Sequence, residues 1–290
     1  MVIAKLPFEI RLSRPLFSLI LILCLWPIYA SENNTPWVVT YTNTNPISAF
    51  NPYRLIILDS VSHPPLTTFL KNEKKITLAY LSLGEIGKHR SYFKAVKEQG
   101  ILLHENKNWP GSFAVDVRDK RWQFRVLNEL IPSIIKQGFH GIFIDTLDIP
   151  IHLAQTQTNQ YQNMKAATIN IIKSIRVRYP DIKIMINRAY PILTEIAPAI
   201  DMVLGESVFT TYNFEKRIYQ YVSKDDYRQL VLILKSLKSQ YPHIQVMTLD
   251  YWSENDQKVI AQIYAKQRAN GFSPYVATIK LDKIIPEPIL

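Results

Sequence analysis

The chain has 290 residues, of which 47% are hydrophobic and 20% are charged, and its formal net charge is +10. This composition excludes an intrinsically disordered chain and a collagen-like repeat, and a single cysteine excludes a fold held together by intramolecular disulfides. The basic side chains are scattered along the sequence and form no long cluster. We therefore expect a solvated basic surface and no nucleic-acid partner.

Residues 1–30 have the order of a secretory signal peptide. A basic start with Lys5, Arg11 and Arg14 precedes an almost unbroken apolar run over 16–28, and Ala30 supplies a small residue for cleavage. The run is shorter than the about 20 apolar residues that a membrane-spanning helix needs. We therefore expect a secreted or periplasmic protein with no stable membrane insertion once this segment is removed.

Two alternatives stay open for the same segment. Ile28 is a poor residue two positions before Ala30, which leaves an uncleaved N-terminal anchor as one alternative. Cys24, which follows Leu23, leaves lipid attachment as the other. Because 1–30 carries three basic residues and one acidic residue, its removal lowers the net charge from +10 to +8.

Short apolar runs alternate with amphipathic helical segments in the rest of the chain. The runs are short and uninterrupted, as expected for parallel strands that are buried on both faces. Eight such strands alternating with helices predict an α/β fold, a single (β/α)₈ TIM barrel over 31–290. The predicted strands span 37–41, 55–58, 76–81, 141–144, 182–186, 202–204, 246–249 and 274–277, and the clearest helices span 120–137, 160–178, 225–240 and 254–270.

A doubly wound sheet is the alternative fold, because its strands also alternate with helices along the chain. It is disfavoured because no Gly-rich phosphate loop follows any predicted strand. The long connection over 109–119 is expected to carry an extra short strand. We expect one domain and, by default, a monomer. The predicted helix over 120–137 should carry one apolar stripe, formed by Phe124, Leu127, Leu130, Ile131 and Ile134.

Acidic and aromatic residues gather at the ends of the predicted strands. In a (β/α)₈ barrel the active site lies at the carboxyl ends of the strands, so these side chains would share one rim. Glycoside hydrolysis uses one carboxyl group to protonate the leaving oxygen and a second to attack the sugar or to activate water. The sequence therefore predicts a sugar site. Its polar members are Asp59, Glu85, Asp145, Asp148, Asn187, Arg188, Glu206 and Asp250, and its aromatic members are Tyr41, Tyr80, Trp109, Tyr190, Tyr212, Tyr251 and Trp252.

The sequence lacks the motifs that are typical of metal sites, serine nucleophiles and phosphate-binding loops. The six histidines show no metal-ligand spacing and the one cysteine lies within 1–30, so we expect no metal site and no cofactor. The sequence has no Gly-x-Ser-x-Gly elbow and no phosphate loop. A divalent ion held by Asp145 and Asp148 is the remaining alternative, but no further close ligand accompanies these two carboxylates.

Five segments in chain order carry a recognisable pattern. They are Tyr80-Leu-Ser-Leu-Gly-Glu85 followed by Arg90, Trp109-Pro-Gly-Ser-Phe-Ala-Val-Asp116-Val-Arg118-Asp-Lys-Arg-Trp122, Gly138-Phe-His-Gly-Ile-Phe-Ile-Asp145-Thr-Leu-Asp148, Ile186-Asn187-Arg188 and Gly205-Glu206-Ser207. Together they resemble glycoside hydrolase family 114, the endo-α-1,4-polygalactosaminidase family with its Pel-type polysaccharide hydrolase relatives. The resemblance covers about 37–275. His140 departs from it, because the family is expected to show an acidic residue there.

The resemblance implies a (β/α)₈ barrel with its catalytic pair on strands four and six, which corresponds to Asp145 and Glu206. By analogy with barrel glycosidases, Asp145 is the expected nucleophile and Glu206 the expected acid/base, and the reverse assignment stays open. Retention of the anomeric configuration would place the two carboxyl groups about 5–5.5 Å apart, and inversion about 6.5–9.5 Å. The structural alternatives are a helix cap for Asp145 and an ion pair with Arg188 for Glu206.

The expected function is that of a glycosidase that cleaves a galactosamine or N-acetylgalactosamine polysaccharide at internal bonds with retention. Because the chain is basic and a de-N-acetylated polymer is cationic, an acetylated or partly acetylated polymer is a suitable substrate. The alternatives are a non-catalytic carbohydrate-binding barrel of the cell envelope and an envelope barrel that contacts proteins. The expected substrate-binding residues are Asp59, Tyr80, Glu85, Arg90, Trp109, Asp148, Asn187, Arg188, Tyr212, Asp250 and Trp252.

Overall fold

The computed structural model describes residues 35–70 and 74–289. The predicted signal peptide over 1–30, with Cys24, lies outside these residues. Thirteen strands are formed within the described part of the chain: β1 Trp37–Thr40, β2 Leu55–Asp59, β3 Ile76–Ser82, β4 Glu85–Gly87, β5 Leu102–Glu105, β6 Ser112–Val115, β7 Gly141–Asp145, β8 Lys183–Asn187, β9 Met202–Glu206, β10 Thr210–Asn213, β11 Ile218–Tyr221, β12 Gln245–Tyr251 and β13 Ser273–Ala277.

Eight of these strands form one parallel sheet in the order β1-β2-β3-β7-β8-β9-β12-β13. The sheet is nearly closed into a barrel, since the Trp37 indole donates a hydrogen bond of 2.9 Å to the carbonyl of Ser273 across the remaining gap. The predicted (β/α)₈ barrel is confirmed. A doubly wound sheet is excluded, because the strand order never reverses as its topological switch point requires.

All eight predicted barrel strands are present, and most of them extend one or two residues beyond the apolar run. The added residues are polar and still pair with the neighbouring strand, as Asp59 does with Tyr80 and Ser82 with Asp145. The interior positions of the strands are almost fully buried, as parallel strands covered on both faces require. Polar side chains are thereby fixed at the carboxyl rim of a rigid barrel.

Helices lie between the strands. Their bounds are α1 Thr67–Leu70, α2 Phe93–Glu98, α3 Lys120–Arg125, α4 Ile131–Lys136, α5 Asp148–Thr156, α6 Met164–Arg178, α7 Leu193–Ile196, α8 Lys224–Gln240 and α9 Gln257–Ala269. Short 3-10 turns span Ile47–Phe50, Tyr190–Ile192 and Ala197–Ala199. Among the described residues, no helix is both long and apolar enough to span a membrane.

The predicted helix over 120–137 is interrupted by a π-helical turn at Val126–Leu130, which separates α3 from α4. This turn changes the register of the helix. Phe124 is 59% exposed, while Trp122 and Val126 are fully buried. The expected stripe is therefore wrong at Phe124, because it assumed an unbroken period of 3.6 residues.

Two insertions stand at the carboxyl end of the barrel. Strands β4, β6 and β5 form an antiparallel sheet after β3, and β10 and β11 form a hairpin after β9. The extra strand expected within 109–119 is β6. The other four insertion strands were not predicted from the sequence.

Gly141, the first residue of β7, leaves no room for a side chain. A Cβ built there would lie 1.9 Å from the carbonyl oxygen of Lys183 on β8. Since that oxygen belongs to the barrel backbone, Gly141→Ala is expected to lower the free energy of unfolding by about 3 kcal/mol. Urea unfolding followed by circular dichroism measures the change. Gly87→Ala is the control, because there the Cβ would meet only the movable ring of His89; equal losses in the two variants would contradict this prediction.

Candidate active site

Asp145 is the last residue of β7 and lies at the carboxyl rim, partly buried. Its Oδ1 accepts hydrogen bonds from the backbone N–H of Thr146 at 2.7 Å and from the Asn187 amide at 2.8 Å. The Tyr80 hydroxyl also contacts this carboxyl group. These donors fix the carboxyl group while part of it remains open to the mouth of the barrel.

Glu206 is the last residue of β9, and its side chain is 17% exposed. Its Oε1 accepts a hydrogen bond of 2.6 Å from the Tyr251 hydroxyl. Its Oε2 accepts one of 2.6 Å from the Asn187 amide and forms a 3.1 Å ion pair with Arg188. The carboxyl group is therefore surrounded by donors that favour its ionised form.

One side-chain nitrogen joins the two carboxyl groups. Asn187 Nδ2 donates to Asp145 Oδ1 at 2.8 Å and to Glu206 Oε2 at 2.6 Å. These two facing oxygens can therefore be no farther apart than the sum of the two hydrogen-bond lengths. Residues 61 positions apart in sequence thus form one close pair.

The environment separates the pKa values of the two carboxyl groups. Burial, and then the negative charge of Glu206, raises the pKa of Asp145 to about 6 despite the hydrogen bond from Asn187. Burial also opposes the ionisation of Glu206, but Arg188 and the hydrogen bonds from Asn187 and Tyr251 outweigh it, so the pKa of Glu206 lies below its ordinary value. These surroundings therefore favour the protonated form of Asp145 over the protonated form of Glu206.

The backbone is strained beside each of these side chains. The residues that follow Asp145, Asn187 and Glu206 have φ values of 62°, 53° and 56°. The first of them is the β-branched Thr146, for which a left-handed conformation is an outlier. Its hydroxyl is held by the Gly84 N–H at 2.8 Å and by the Ser82 hydroxyl at 2.9 Å. Strain of this kind clusters at functional sites, where the surrounding structure holds it in place.

Arg188 links Glu206 to a second carboxylate. Its Nη1 lies 3.5 Å from Asp148 Oδ2, and the Asp148 side chain is 53% exposed. Three polar atoms beside this link are buried without a hydrogen-bond partner in the described part of the chain: Asn187 Oδ1, Arg188 Nε and Tyr190 OH. Such atoms are rare in folded proteins, and these three belong to the segment that follows β8 beside Glu206.

Three tyrosines enclose the carboxyl pair. The rings of Tyr41 and Tyr80 lie 4.8 Å apart, and Tyr251 contacts Glu206. Burial, followed by the charge of Asp145 for Tyr80 and of Glu206 for Tyr251, raises the pKa of both phenols well above the ordinary value. Both remain hydrogen-bond donors at neutral pH. Tyr251 was predicted to lie on the rim but was not among the expected substrate-binding residues. Its position at the end of β12 was the feature that could have identified it as one.

Asp59 and Arg90 form a second polar group beside Tyr80. Arg90 contacts both oxygens of the buried Asp59, at 2.6 and 3.3 Å, and its guanidinium lies 5.9 Å from the Tyr80 ring centre. Burial opposes the ionisation of Asp59, but Arg90 and the N–H groups of Ser62 and Val61 hold its pKa below the ordinary value. The Asp59–Arg90 ion pair therefore packs beside Tyr80 and helps to hold its ring in place.

Two expected substrate-binding carboxylates have their partners inside the protein. Glu85 is buried and accepts hydrogen bonds from Asn106 and Ser112, which hold the β4–β6 sheet together. Asp250 is fully buried and accepts hydrogen bonds from the N–H groups of Phe209 and Thr210 and from Gln267 of α9. The structure does not bring either one to the carboxyl pair, and their contacts support the two insertions instead.

The expected aromatic contacts lie beside the insertions. Tyr212 belongs to the hairpin, Trp109 precedes β6, and Trp252 follows β12. Trp252 contacts Tyr219 and Tyr221 of β11, with ring centres 6.2 and 5.2 Å apart. These rings form a connected aromatic surface rather than isolated residues.

His140 lies at the opposite end of the barrel from the carboxyl pair. It directly precedes β7, and its Nδ1 accepts hydrogen bonds from the Thr77 backbone N–H at 3.1 Å and from the Thr77 hydroxyl at 3.0 Å. The departure from the family pattern at this position therefore does not touch the site. Within 35–70 and 74–289 no group of three His, Cys, Asp or Glu side chains is placed to hold a metal ion.

Comparison with known proteins gives a family and a common fold. The sequence model of Glycoside-hydrolase family GH114 matches residues 26–288. A protein of Deinococcus radiodurans is 25% identical over 246 residues, which cover 81% of this chain and 76% of that protein.

Two solved structures share the architecture. The glycoside hydrolase domain of PelA from Pseudomonas aeruginosa is similar with a TM-score of 0.76 and 22% identity, covering 87% of this chain and 98% of that domain. Ega3 of Aspergillus fumigatus, solved in complex with galactosamine, is similar with a TM-score of 0.65 and 12% identity, covering 88% of this chain and 95% of Ega3. At these identities the structural likeness establishes the barrel fold.

Proposed function

Because the chain belongs to glycoside hydrolase family GH114, and is thus a glycosidase, we propose that it cleaves an amino-sugar polysaccharide of galactosamine or N-acetylgalactosamine units. The observation that carries this proposal is the Asn187 amide, which holds the carboxyl groups of Asp145 and Glu206 together at the mouth of the barrel. The galactosamine bound to Ega3 supports the choice of sugar. We propose cleavage at internal bonds, and export of the chain through a signal peptide over 1–30.

The proposed reaction retains the anomeric configuration. A carboxylate oxygen of Asp145 attacks the anomeric carbon, while the carboxylic acid of Glu206 gives its proton to the departing glycosidic oxygen. Water then attacks the same carbon, Glu206 takes up the proton of that water, and the bond to Asp145 breaks. The amide shared by the two carboxyl groups supports retention, because it holds their facing oxygens close together, whereas an inverting enzyme needs room for a water molecule between its base and the sugar.

This assignment requires the preference between the two carboxyl groups to change when substrate binds, because their surroundings favour the protonated form of Asp145. Positive charge that develops on the sugar ring favours the ionised form of Asp145. Loosening of the contact between Arg188 and Glu206 favours the protonated form of Glu206, and Asp148 is a second partner for that guanidinium. Asn187, which contacts both carboxyl groups, remains a common donor to the pair.

The residues around the pair are proposed to bind the sugar. Tyr80, Asn187, Arg188 and Asp148 surround the point of cleavage, and the buried atoms without partners on Asn187 and Arg188 are the donors and acceptors that sugar hydroxyl or amide groups would complete. Further along the mouth Trp109, Tyr212 and Trp252 offer aromatic surface.

Product analysis of the purified full-length chain tests the proposal. We expect oligosaccharides by mass spectrometry from a galactosamine or an N-acetylgalactosamine polymer, and none from Glu206→Gln. Glu98→Gln, an exposed carboxylate on α2, is the matched control and should give the wild-type products. Polymer binding without any product would favour a carbohydrate-binding barrel. If neither polymer bound, the proposed sugar would be wrong.

A further inference from the structure

Six aromatic side chains form one connected surface, here called the aromatic belt: Trp109, Tyr212, Phe214, Tyr219, Tyr221 and Trp252. Adjacent rings have centres 5.1–6.2 Å apart, in the order Trp109–Phe214–Tyr212–Tyr219–Trp252–Tyr221. The carboxyl pair uses none of these contacts. The belt therefore needs a separate explanation.

The belt joins the two insertions of the barrel. Trp109 lies in the loop between β5 and β6, and Phe214 lies in the turn between β10 and β11, yet their ring centres are 5.3 Å apart. Both insertions stand next to the active site, because the antiparallel sheet follows β3, from which Tyr80 contacts Asp145, and the hairpin follows β9, which ends at Glu206. The hairpin itself begins four residues after Glu206.

The two ends of the belt are open to solvent. Trp109 is 49% exposed and Tyr221 is 47% exposed, while the other four rings are partly buried. Contiguous exposed aromatic surface is uncommon on a soluble protein and marks a binding site. Hydrogen-bonding groups accompany the rings, including the Tyr212 hydroxyl and the Asn213–Gln220 amide pair. This combination suits a ligand with alternating apolar and hydroxyl-bearing surfaces.

We propose that the aromatic belt binds sugar units of the polymer that are remote from the cleaved bond. The inference rests on the proposed function, because the polymer is taken as the occupant from the position of both insertions at the end of the barrel that carries the carboxyl pair. Pyranose rings offer C–H faces to aromatic rings and hydroxyl groups to the amides beside them. Binding energy from such remote units assists cleavage, so longer chains should be better substrates and internal bonds should be cut.

Substitutions in the belt test this inference on substrates of different length. Phe214→Ala and Trp109→Ala are expected to raise KM for the polymer about tenfold, equivalent to about 1.4 kcal/mol. For a short oligosaccharide that fills only the subsites next to the bond, the same variants should change KM much less. Phe124→Ala, which removes an exposed aromatic residue of α3 outside the belt, is the control. Tyr221→Ala serves as a second variant if Phe214→Ala fails to fold.

A binding measurement separates failure of the belt from failure of the proposed function. Calorimetric titration of the polymer into Glu206→Gln, with and without each belt substitution, should show about tenfold weaker binding when a belt ring is removed. Equal polymer affinity with and without the belt rings overturns the inference, whether or not the wild type hydrolyses the polymer. Equal losses on polymer and short oligosaccharide also overturn it. Absence of hydrolysis of every amino-sugar substrate by the wild type would instead overturn the proposed function.

Discussion

Asp145→Asn is expected to lower kcat by about 10⁴-fold, because the amide cannot form the covalent bond to the sugar on which the proposed first step depends. Glu206→Gln is expected to lower kcat by about 10²–10⁴-fold, because the leaving oxygen then departs without a proton. Steady-state assays with a purified oligosaccharide measure both losses. Asp225→Asn, whose carboxylate is highly exposed at the start of α8, is the matched control.

Chemical rescue separates the two roles. A substrate whose leaving group needs no proton should restore the first step in Glu206→Ala, and added azide should then give a glycosyl azide of retained configuration. In Asp145→Ala azide should act in place of the missing nucleophile and give the inverted product. The opposite pattern would establish the reverse assignment. If both variants kept activity within tenfold of the wild type, the pair would not be catalytic.

Arg188→Gln is expected to shift the pH dependence of kcat/KM. In the proposed mechanism the pair is active with a single proton, and the pKa of about 6 for Asp145 places the alkaline limb near pH 6. The guanidinium of Arg188 is the chief group that lowers the pKa of Glu206 against the effect of burial. Its removal should raise the pKa of Glu206, so the acidic limb, at which the pair takes up a second proton, moves to higher pH.

A profile of kcat/KM from pH 4 to 9 measures this shift independently of any overall loss of activity. Arg188→Lys is the control, because a cation remains beside Glu206 and the limb should stay close to its wild-type position. A shift of the alkaline limb with no movement of the acidic limb would contradict this account of the pair. Limbs that do not move would show that Arg188 does not set the protonation of the pair.

The barrel could be predicted from the sequence because each strand is a short apolar run bounded by polar residues. A search for short apolar runs misses the hairpin, because its sequence from Thr210 to Tyr221 contains none. The hairpin is held in place by contacts between aromatic rings instead. The π-helical turn at Val126–Leu130 was equally hidden, since its effect is a change of register rather than of composition.

The residue types of the site could be predicted from the sequence, but the directions in which their side chains point could be predicted less well. Asp250 and Tyr251 are successive residues of β12, and successive side chains of a strand point to opposite faces. Tyr251 reaches Glu206, so Asp250 must point toward α9, where Gln267 contacts it. The bridging role of Asn187 could not be derived either, because it depends on one amide lying between two strands that are distant in sequence.

The most direct test of the account is a proton NMR time course of oligosaccharide cleavage by the wild type. We expect an α-linked galactosamine oligosaccharide to be hydrolysed and the first-formed reducing end to be the α anomer, because the proposed covalent intermediate on Asp145 retains the configuration. The β anomer would then appear only through slow mutarotation. A first-formed β anomer would contradict the proposed mechanism, and the absence of cleavage would contradict the proposed function.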